Sequence, residues 1–407
     1  MMKRLLLLIL VFLPLVLLAQ DSLTVITGRV LNRENHERLA HVSVASPDGK
    51  HLTVTNDDGE FLLKVPGQRP SYVELTHLGF HSKRFKLKGK TEDLRIELKP
   101  SEIMLGEVVV MMNDPLDVVR AAIAKIPHNY DTKPSLLHCF YRETAQKGRR
   151  FIAVSEAVTD MYKTSYSYGT YGDAVRILKG RRLMSMRAKD TLGVKVMGGP
   201  VVPIMLDVVK NSELLFNEKE LAYYELKLEM PERIDLRPQI VISFKPLYRL
   251  NRPLFHGRLL IDRETLAFTR IELQLDTSDR LLATDYMLVR RPAGLKFNPK
   301  ELSTVINYRT APDGKTRLSY VRNTMRFKCD WKRRLFSSAY TVVTEMVVTS
   351  VADPSEVSPI RVRDSFSRHD KFYDKVAFFD EPDFWGDYNI ISPTESLEEA
   401  IERLKKK

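Results

Sequence analysis

Along much of this chain apolar and polar residues alternate one by one, a period that places successive side chains on opposite faces of a strand. In residues 60–65, Phe61, Leu63 and Val65 face one way and Glu60 and Lys64 the other. Similar short runs at 25–31, 40–45, 52–55, 72–76, 83–87 and 94–98 recur at the spacing of a β-sandwich. Pro47-Asp48-Gly49 and Asn56-Asp57-Asp58-Gly59 separate them with hairpin chemistry. The second of these lacks the ligand spacing and bidentate Glu of a calcium loop, so it reads as a turn. From about 135 to 350 the alternation lengthens. Tyr224, Leu226, Leu228 and Met230 oppose Glu225, Lys227 and Glu229, and Val321, Met325, Phe327 and Cys329 oppose Arg322, Thr324, Arg326 and Lys328. One apolar and one polar face per strand predicts an antiparallel sheet covered on one side only. Ala311-Pro312-Asp313-Gly314-Lys315 is its clearest hairpin turn.

Helical spacing interrupts this pattern in three places. Asn113-Asp114-Pro115 starts a helix whose stripe is Val118, Val119, Ala122, Ile123 and Ile126, and Pro127 ends it. Residues 198–216, with Ile204, Leu206, Val208 and Val209 between Pro203 and Asn211, read as a helix lying over the sheet's apolar face. Ser396 with Glu399 forms a capping box for a last helix with Leu397, Ala400, Ile401 and Leu404 on one stripe. The fold class expected is mainly β: a seven-stranded β-sandwich, then a large antiparallel, half-open β-barrel-like domain with a covering helix. The expected divisions are a signal peptide at 1–19, the sandwich at 20–110, a helical linker at 111–134, the half-barrel at 135–350 and an aromatic-rich tail at 351–407.

The first 19 residues carry the address. Lys3 and Arg4 precede an apolar run at 5–18, and Ala19 offers a small residue for cleavage, the pattern of a secretory signal peptide. That run is shorter than the ~20 residues a spanning helix needs, and no other run approaches it. Export is expected, with no transmembrane segment after cleavage. The 407 residues carry a net charge of +12, but their basic residues are scattered in small groups such as Lys147-Arg149-Arg150 and Lys332-Arg333-Arg334. No nucleic-acid-binding motif accompanies them, so nucleic acid is not an expected partner and anionic envelope surfaces are the better fit.

The sequence Thr27-Gly28-Arg29-Val30, Val42-Ser43-Val44, Thr55-Asn56-Asp57-Asp58-Gly59-Glu60-Phe61, then His77-Leu78-Gly79-Phe80, resembles the carboxypeptidase regulatory-like domain. Leu105-Gly106-Glu107-Val108-Val109-Val110 resembles the strand that closes this module in envelope proteins. The resemblance implies a transthyretin-like β-sandwich, an accessory module without chemistry of its own. Residues 256–267, around Leu260-Ile261-Asp262-Arg263, resemble the strand–turn–strand element of periplasmic lipoprotein-carrier-like half-barrels. Together these resemblances imply the periplasm or outer-membrane surface of a Gram-negative bacterium.

No catalytic constellation accompanies these elements. None of the nine histidines has Glu three residues on, and there is no nucleophile elbow or phosphate-binding glycine loop. A non-enzymatic protein without cofactor or metal is expected. Cys139 and Cys329 lie in predicted strands; an oxidising compartment permits a bridge if their Cα atoms come within about 7 Å, and separate buried thiols are the alternative. The tail aromatics Phe378, Phe379, Phe384, Trp385 and Tyr388 serve either as a partner surface or to pin the tail to the core. The expected function is binding of an apolar ligand (a lipid or acyl chain) or a partner segment on the concave sheet. The alternative is a structural adaptor that holds an outer-membrane protein or glycan through the sandwich and tail.

Overall fold

The structure, a computed structural model, describes residues 23–101, 114–187, 194–196, 198–234, 237–290, 293–331, 337–378 and 384–406. The signal segment, Asn113, residues 105–110 and Phe379 lie outside the described residues. Seven short strands open the fold: β1 (Leu23–Asn32), β2 (Ser43–Ala45), β3 (Leu52–Val54), β4 (Glu60–Pro66), β5 (Tyr72–Thr76), β6 (Lys83–Lys86) and β7 (Leu94–Leu98). They form two sheets, β4-β1-β7 and β3-β2-β5-β6. Alternation drives them together: Ile26, Val30, Phe61, Leu63 and Ile96 from one sheet meet Val44, Val73 and Leu75 from the other in a single core. Gly59, with φ of +73°, makes the turn into β4, where Asn56 Oδ1 accepts from the backbone N–H of Asp58 and Glu60.

The second sheet is built from β8 (Ser135–Lys147), β9 (Arg150–Lys163), β10 (Ala174–Met184), β12 (Tyr224–Leu228), β14 (Arg237–Pro246), β15 (Phe255–Asp262), β16 (Phe268–Leu275), β18 (Leu295–Thr310), β19 (Thr316–Trp331), β20 (Ser338–Val351) and β21 (Ala377–Phe378). Its order is β12-β14-β15-β16-β18-β19-β20-β8-β9-β10-β21, with β13 (Glu232–Ile234) paired to β14. All neighbours are antiparallel except β10 and β21, and the sheet does not close into a barrel. A separate pair joins β11 (Lys195–Val196) to β17 (Leu288–Arg290).

Its inner face is apolar and is covered by several pieces of chain. Helix α1 (Pro115–Ala124) starts at Asp114, whose side chain accepts from Leu116 N–H, and buries Val118, Val119 and Ala122. It ends at Lys125 rather than at Pro127, which sits in the first turn of a second short helix, α2 (Ile126–Asn129). The covering helix expected over 198–216 is not formed as one helix. The segment contains α3 (Val202–Met205) and a single 3₁₀ turn at Ser212–Leu214, with α4 (Glu218–Leu221) after it. The Asn211 side-chain amide donates to the Met205 carbonyl, while Asp207 and Lys210 turn toward charged partners on the sheet, so continuous helical bonding is lost. The segment still covers the wall, because Val202, Ile204, Leu206, Val208, Val209, Leu215 and Phe216 belong to the same core. Helix α5 (Arg280–Met287), capped by Asp279, adds Ala283 and Met287.

The outer face departs from the expected one-sided sheet. Between β19 and β9, the residues Phe140, Val158, Tyr320 and Val347 are covered by Val54 of the sandwich and by Trp385 and Ile391 of the tail. Helix α6 (Phe372–Lys375) packs beside β10 and sends Phe372 into the inner core against Tyr141, whereas helix α7 (Glu395–Lys405) sets Leu397, Ile401 and Leu404 on Val154 and Leu183 of the outer face. The cap of α7 is Thr394, whose hydroxyl accepts from Leu397 N–H, rather than Ser396. Among the described residues, no helix is long and apolar enough to cross a membrane.

Candidate functional site

Sandwich and sheet are locked together by charged and backbone contacts. Arg322 on β19 reaches Asp57 in the sandwich turn at 2.9 and 3.1 Å, His41 Nε2 at 2.5 Å and Glu345 on β20 at 3.1 Å. The tail bridges both parts. Asn389 exchanges hydrogen bonds with the Lys64 backbone, donating at 2.8 Å and accepting at 2.7 Å. Thr53 and Asn56 donate to the carbonyls of Ile390 and Pro393, and Arg142 on β8 donates to that of Ile391 at 2.6 Å.

Beside this junction the two parts enclose a cleft of about 620 Å³. That volume and its place at a domain interface suit a ligand site. The sandwich contributes Glu74, Thr76, His77 and Arg84; the sheet contributes Arg237, Gln239, Asp262, Arg270 and Arg309. Strand alternation puts these polar side chains here, since they belong to the sheet face opposite the core. Glu74 sits between Arg84 at 3.2 Å and Arg309 at 3.5 Å. Asp262 Oδ1 accepts from Glu264 N–H, Thr265 N–H and Thr265 Oγ1 to hold the turn after β15, which leaves Oδ2 for Arg237 at 3.4 Å. Burial lowers His77 to about 4, opposed by the backbone of Leu78 and Ala40, so the ring is neutral.

A second groove, of about 630 Å³, crosses the polar face of β12, β14, β15, β16 and β18. Lys227 lines it, Lys245 pairs with Glu225 at 2.7 Å, and Arg258 pairs with Glu272 at 2.8 Å and with the nearby Glu232 at 2.7 Å; Glu272 also takes Arg270 of the cleft at 2.7 Å.

Three buried polar groupings were not foreseen from the sequence. Lys163, Asp173, Asp207 and Lys210 form a buried quartet with Lys163–Asp207 and Lys210–Asp173 contacts of 2.6 Å, and the Tyr166 and Tyr308 hydroxyls donate to Asp207. Burial lowers Lys210 to about 8, helped by Lys163 and opposed by Asp173. On the outer face, Glu156 lies between Arg142 and Arg181, at 2.7 and 2.6 Å; burial alone would raise its pKa, but the two guanidinium groups hold it below the usual range. On the inner wall, Thr304, Asn323, Thr344 and Glu143 stand opposite one another across β18, β19, β20 and β8. Apolar rows flank them, Leu302-Met325-Val342 on one side and Ile306-Val321-Met346 on the other. Asn323 Nδ2 is buried without a partner among the described residues, and burial raises the Glu143 carboxyl. A single polar residue in an alternating strand carries no signal of what faces it, so these sets emerge only from register.

Cys139 and Cys329 are both free and buried, so no bridge joins them. Cys139 pairs with Val348 and Cys329 with Ser338 on opposite sides of β20, ten residues apart along that strand. At ~3.3 Å per residue this is about 33 Å, far beyond disulfide reach. Burial raises both thiols, Cys329 to about 11. Among the tail aromatics, Trp385 is buried edge-on against Phe140, Phe384 is half-buried with Lys179 4.4 Å from its ring centre, and Tyr388 is exposed. Phe378 contributes backbone to β21.

Residues 26–110 match the family model of the CarboxypepD_reg-like domain. No curated protein matches the chain. Among solved structures, a DUF1329 family protein from Desulfovibrio piger is 11% identical, covering 60% of this chain and 96% of that one at a TM-score of 0.26. A LolA superfamily protein from Nitrosomonas europaea is 8% identical, covering 59% of this chain and 97% of that one at a TM-score of 0.21. The N-terminal sandwich, with its two sheets, its Gly59 turn and its match over 26–110, is a CarboxypepD_reg-like domain.

Proposed function

We propose that this chain is an exported, non-enzymatic binding protein of the cell envelope that takes its ligand in the cleft between sandwich and sheet. The supporting observation is the 620 Å³ opening between two domains held by the Arg322 and Asn389 contacts, which makes the cleft a preformed site. The concave apolar wall is less available, since residues 202–216 already lie on it. A thermal-shift screen of saccharides, phosphorylated sugars and phospholipid vesicles tests the reading on the full chain and on a cleft-filling Thr76→Trp variant. Ligands that raise the melting temperature of the wild type should lose their effect in the variant. Hits that survive Thr76→Trp unchanged, or no hits at all, sink it.

A second reading keeps the inner wall as a seat for a lipid or acyl chain. It is favoured by the polar row under the irregular cover, where Asn323 offers an unused donor to a ligand carbonyl. An apolar fluorescent probe such as N-phenyl-1-naphthylamine should brighten on binding and be displaced by a long-chain ester. Absence of any brightening overturns this second reading.

A further inference from the structure

We infer that Lys163 and Asp207 are placed to join through an isopeptide bond, an amide between their side chains, with Asp173 as the proton carrier. Lys163 Nζ, at the end of β9, lies 2.6 Å from Asp207 Oδ2 in the segment covering the inner wall, and both side chains are shut off from solvent. Making an amide there needs an amine against a carboxyl group, a donor to the oxygen that takes up charge, and a base beside the nitrogen. All three are present. Tyr308 on β18 donates to Asp207 Oδ1 at 2.7 Å, which marks that oxygen as the one kept as the carbonyl. Tyr166 donates at 3.1 Å to Oδ2, the oxygen that faces Lys163 and departs. Asp173 Oδ2 stands 3.7 Å from the same Nζ, in a fully buried side chain, and has no hydrogen-bond partner among the described residues. Tyr130 packs against the rings of both Tyr166 and Tyr308, which closes an aromatic wall around the group. The neighbouring pair is less suited. Lys210 Nζ is divided between Asp173 Oδ1 and the carbonyl and hydroxyl of Thr164, and among the described residues no tyrosine donates to Asp173.

Burial opposes a charge on Lys163, but Asp207 and Asp173 outweigh it, so the side chain rests as an ammonium. Reaction starts when Asp173 Oδ2 takes a proton from Nζ and passes it to Asp207 Oδ2. The freed lone pair on nitrogen then forms the bond to Asp207 Cγ. A second proton follows the same route, the Cγ–Oδ2 bond breaks, and water leaves. The two protons lost by nitrogen are the two that the water carries away, so no oxidant, reductant or outside acid is needed. One positive and one negative charge vanish together, and Lys210 with Asp173, 2.6 Å apart, stays balanced. The product ties the covering segment to the sheet across 44 residues of chain. A cross-link of this kind stabilises by restricting the unfolded state, which the two separate cysteines of this chain do not do.

Peptide mapping of the purified full chain, folded at neutral pH and then denatured, tests the assignment. Trypsin should leave residues 151–176 joined to residues 196–210, uncut at Lys163 and lighter by one water than the two peptides together. Fragmentation should place the link between Lys163 and Asp207. Intact mass alone does not decide, because Asp48-Gly49, Asp58-Gly59 and Asp313-Gly314 can each lose a water as a cyclic imide. Asp173→Asn, or Asp173→Ser where the first does not fold, should lower the linked fraction at least tenfold, with a melting curve to verify folding. Lys163→Arg should abolish the link. Wild-type peptides that are cut at Lys163 and unlinked would overturn the inference, whether or not any variant folds. A link from Lys210 to Asp173 in its place, seen as residues 164–176 joined to 196–219, would overturn the choice of residues. Full linkage in the folded Asp173 variant would overturn its part as proton carrier.

Discussion

Glu156 shows how much a single buried residue carries in this fold. Its carboxylate is enclosed by Arg142 and Arg181, and Arg142 also donates to the tail carbonyl of Ile391. Removing one partner of a buried ion pair strands the other charge, so Arg142→Ala should destabilise the protein by about 3–5 kcal/mol in urea denaturation. The pH dependence follows in sign. The folded pKa of Glu156 lies below its unfolded value, so its contribution is complete above the unfolded carboxylate range near pH 4.5 and is lost as pH falls through the folded value. Melting temperature should therefore drop in acid, and Glu156→Gln should flatten that drop; an unchanged slope would contradict the assignment. For the cysteines, burial predicts that both thiols resist alkylation in the native state and that two react in denaturant without reductant. No reactive thiol under those conditions would point to a bridge.

At the scale of elements, backbone approach and buried charge decide what the pattern leaves open. Gly257 on β15 lies so close to β16 that an added Cβ would come within 1.8 Å of the Glu272 carbonyl oxygen. Gly257→Ala should push these strands apart and cost at least about 1–3 kcal/mol, read from the denaturation midpoint. The segment over 198–216 looked helical because its apolar residues are dense. Its path is set instead by Asp207 and Lys210, which must find Lys163 and Asp173 on β9 and beside β10. Asp207→Asn removes one charge from the quartet and should cost about 3 kcal/mol, with faster amide exchange over 202–216 than elsewhere. Exchange raised evenly over the whole chain would argue that the segment is not held by this contact. Helix α5 escaped the sequence pattern because only Ala283, Thr284 and Met287 of its eight residues are buried, too short a stripe to stand out.

At the scale of the whole molecule, the tail is the third layer that joins the other two. Strand alternation along β8, β9, β19 and β20 announced a core face and a polar face, but Phe140, Val158, Tyr320 and Val347 on the second face are covered by Trp385 and Ile391. The sandwich and sheet should consequently unfold together. Arg322→Ala combined with Asn389→Ala removes charged and neutral bonds across the junction, worth roughly 1–3 kcal/mol each. Calorimetry of the double variant should split one transition into two, the smaller belonging to the sandwich. A single transition at the original temperature would mean that the domains are coupled elsewhere.

The seven sandwich strands and the long antiparallel hairpins could be read from the chain because alternation and turn residues are local: a strand's two faces are written in adjacent side chains, and Gly59 or Gly314 marks a turn within a few residues. The cap of α7 moved by only two positions, from Ser396 to Thr394, since several hydroxyls compete at that end. What the chain does not state locally is which distant charge meets which. Arg84 and Arg309 are 225 residues apart, yet both converge on Glu74. That convergence, like the spacing of the two cysteines along β20 and the cover on the outer face, follows from strand order and register, properties of the assembled sheets alone.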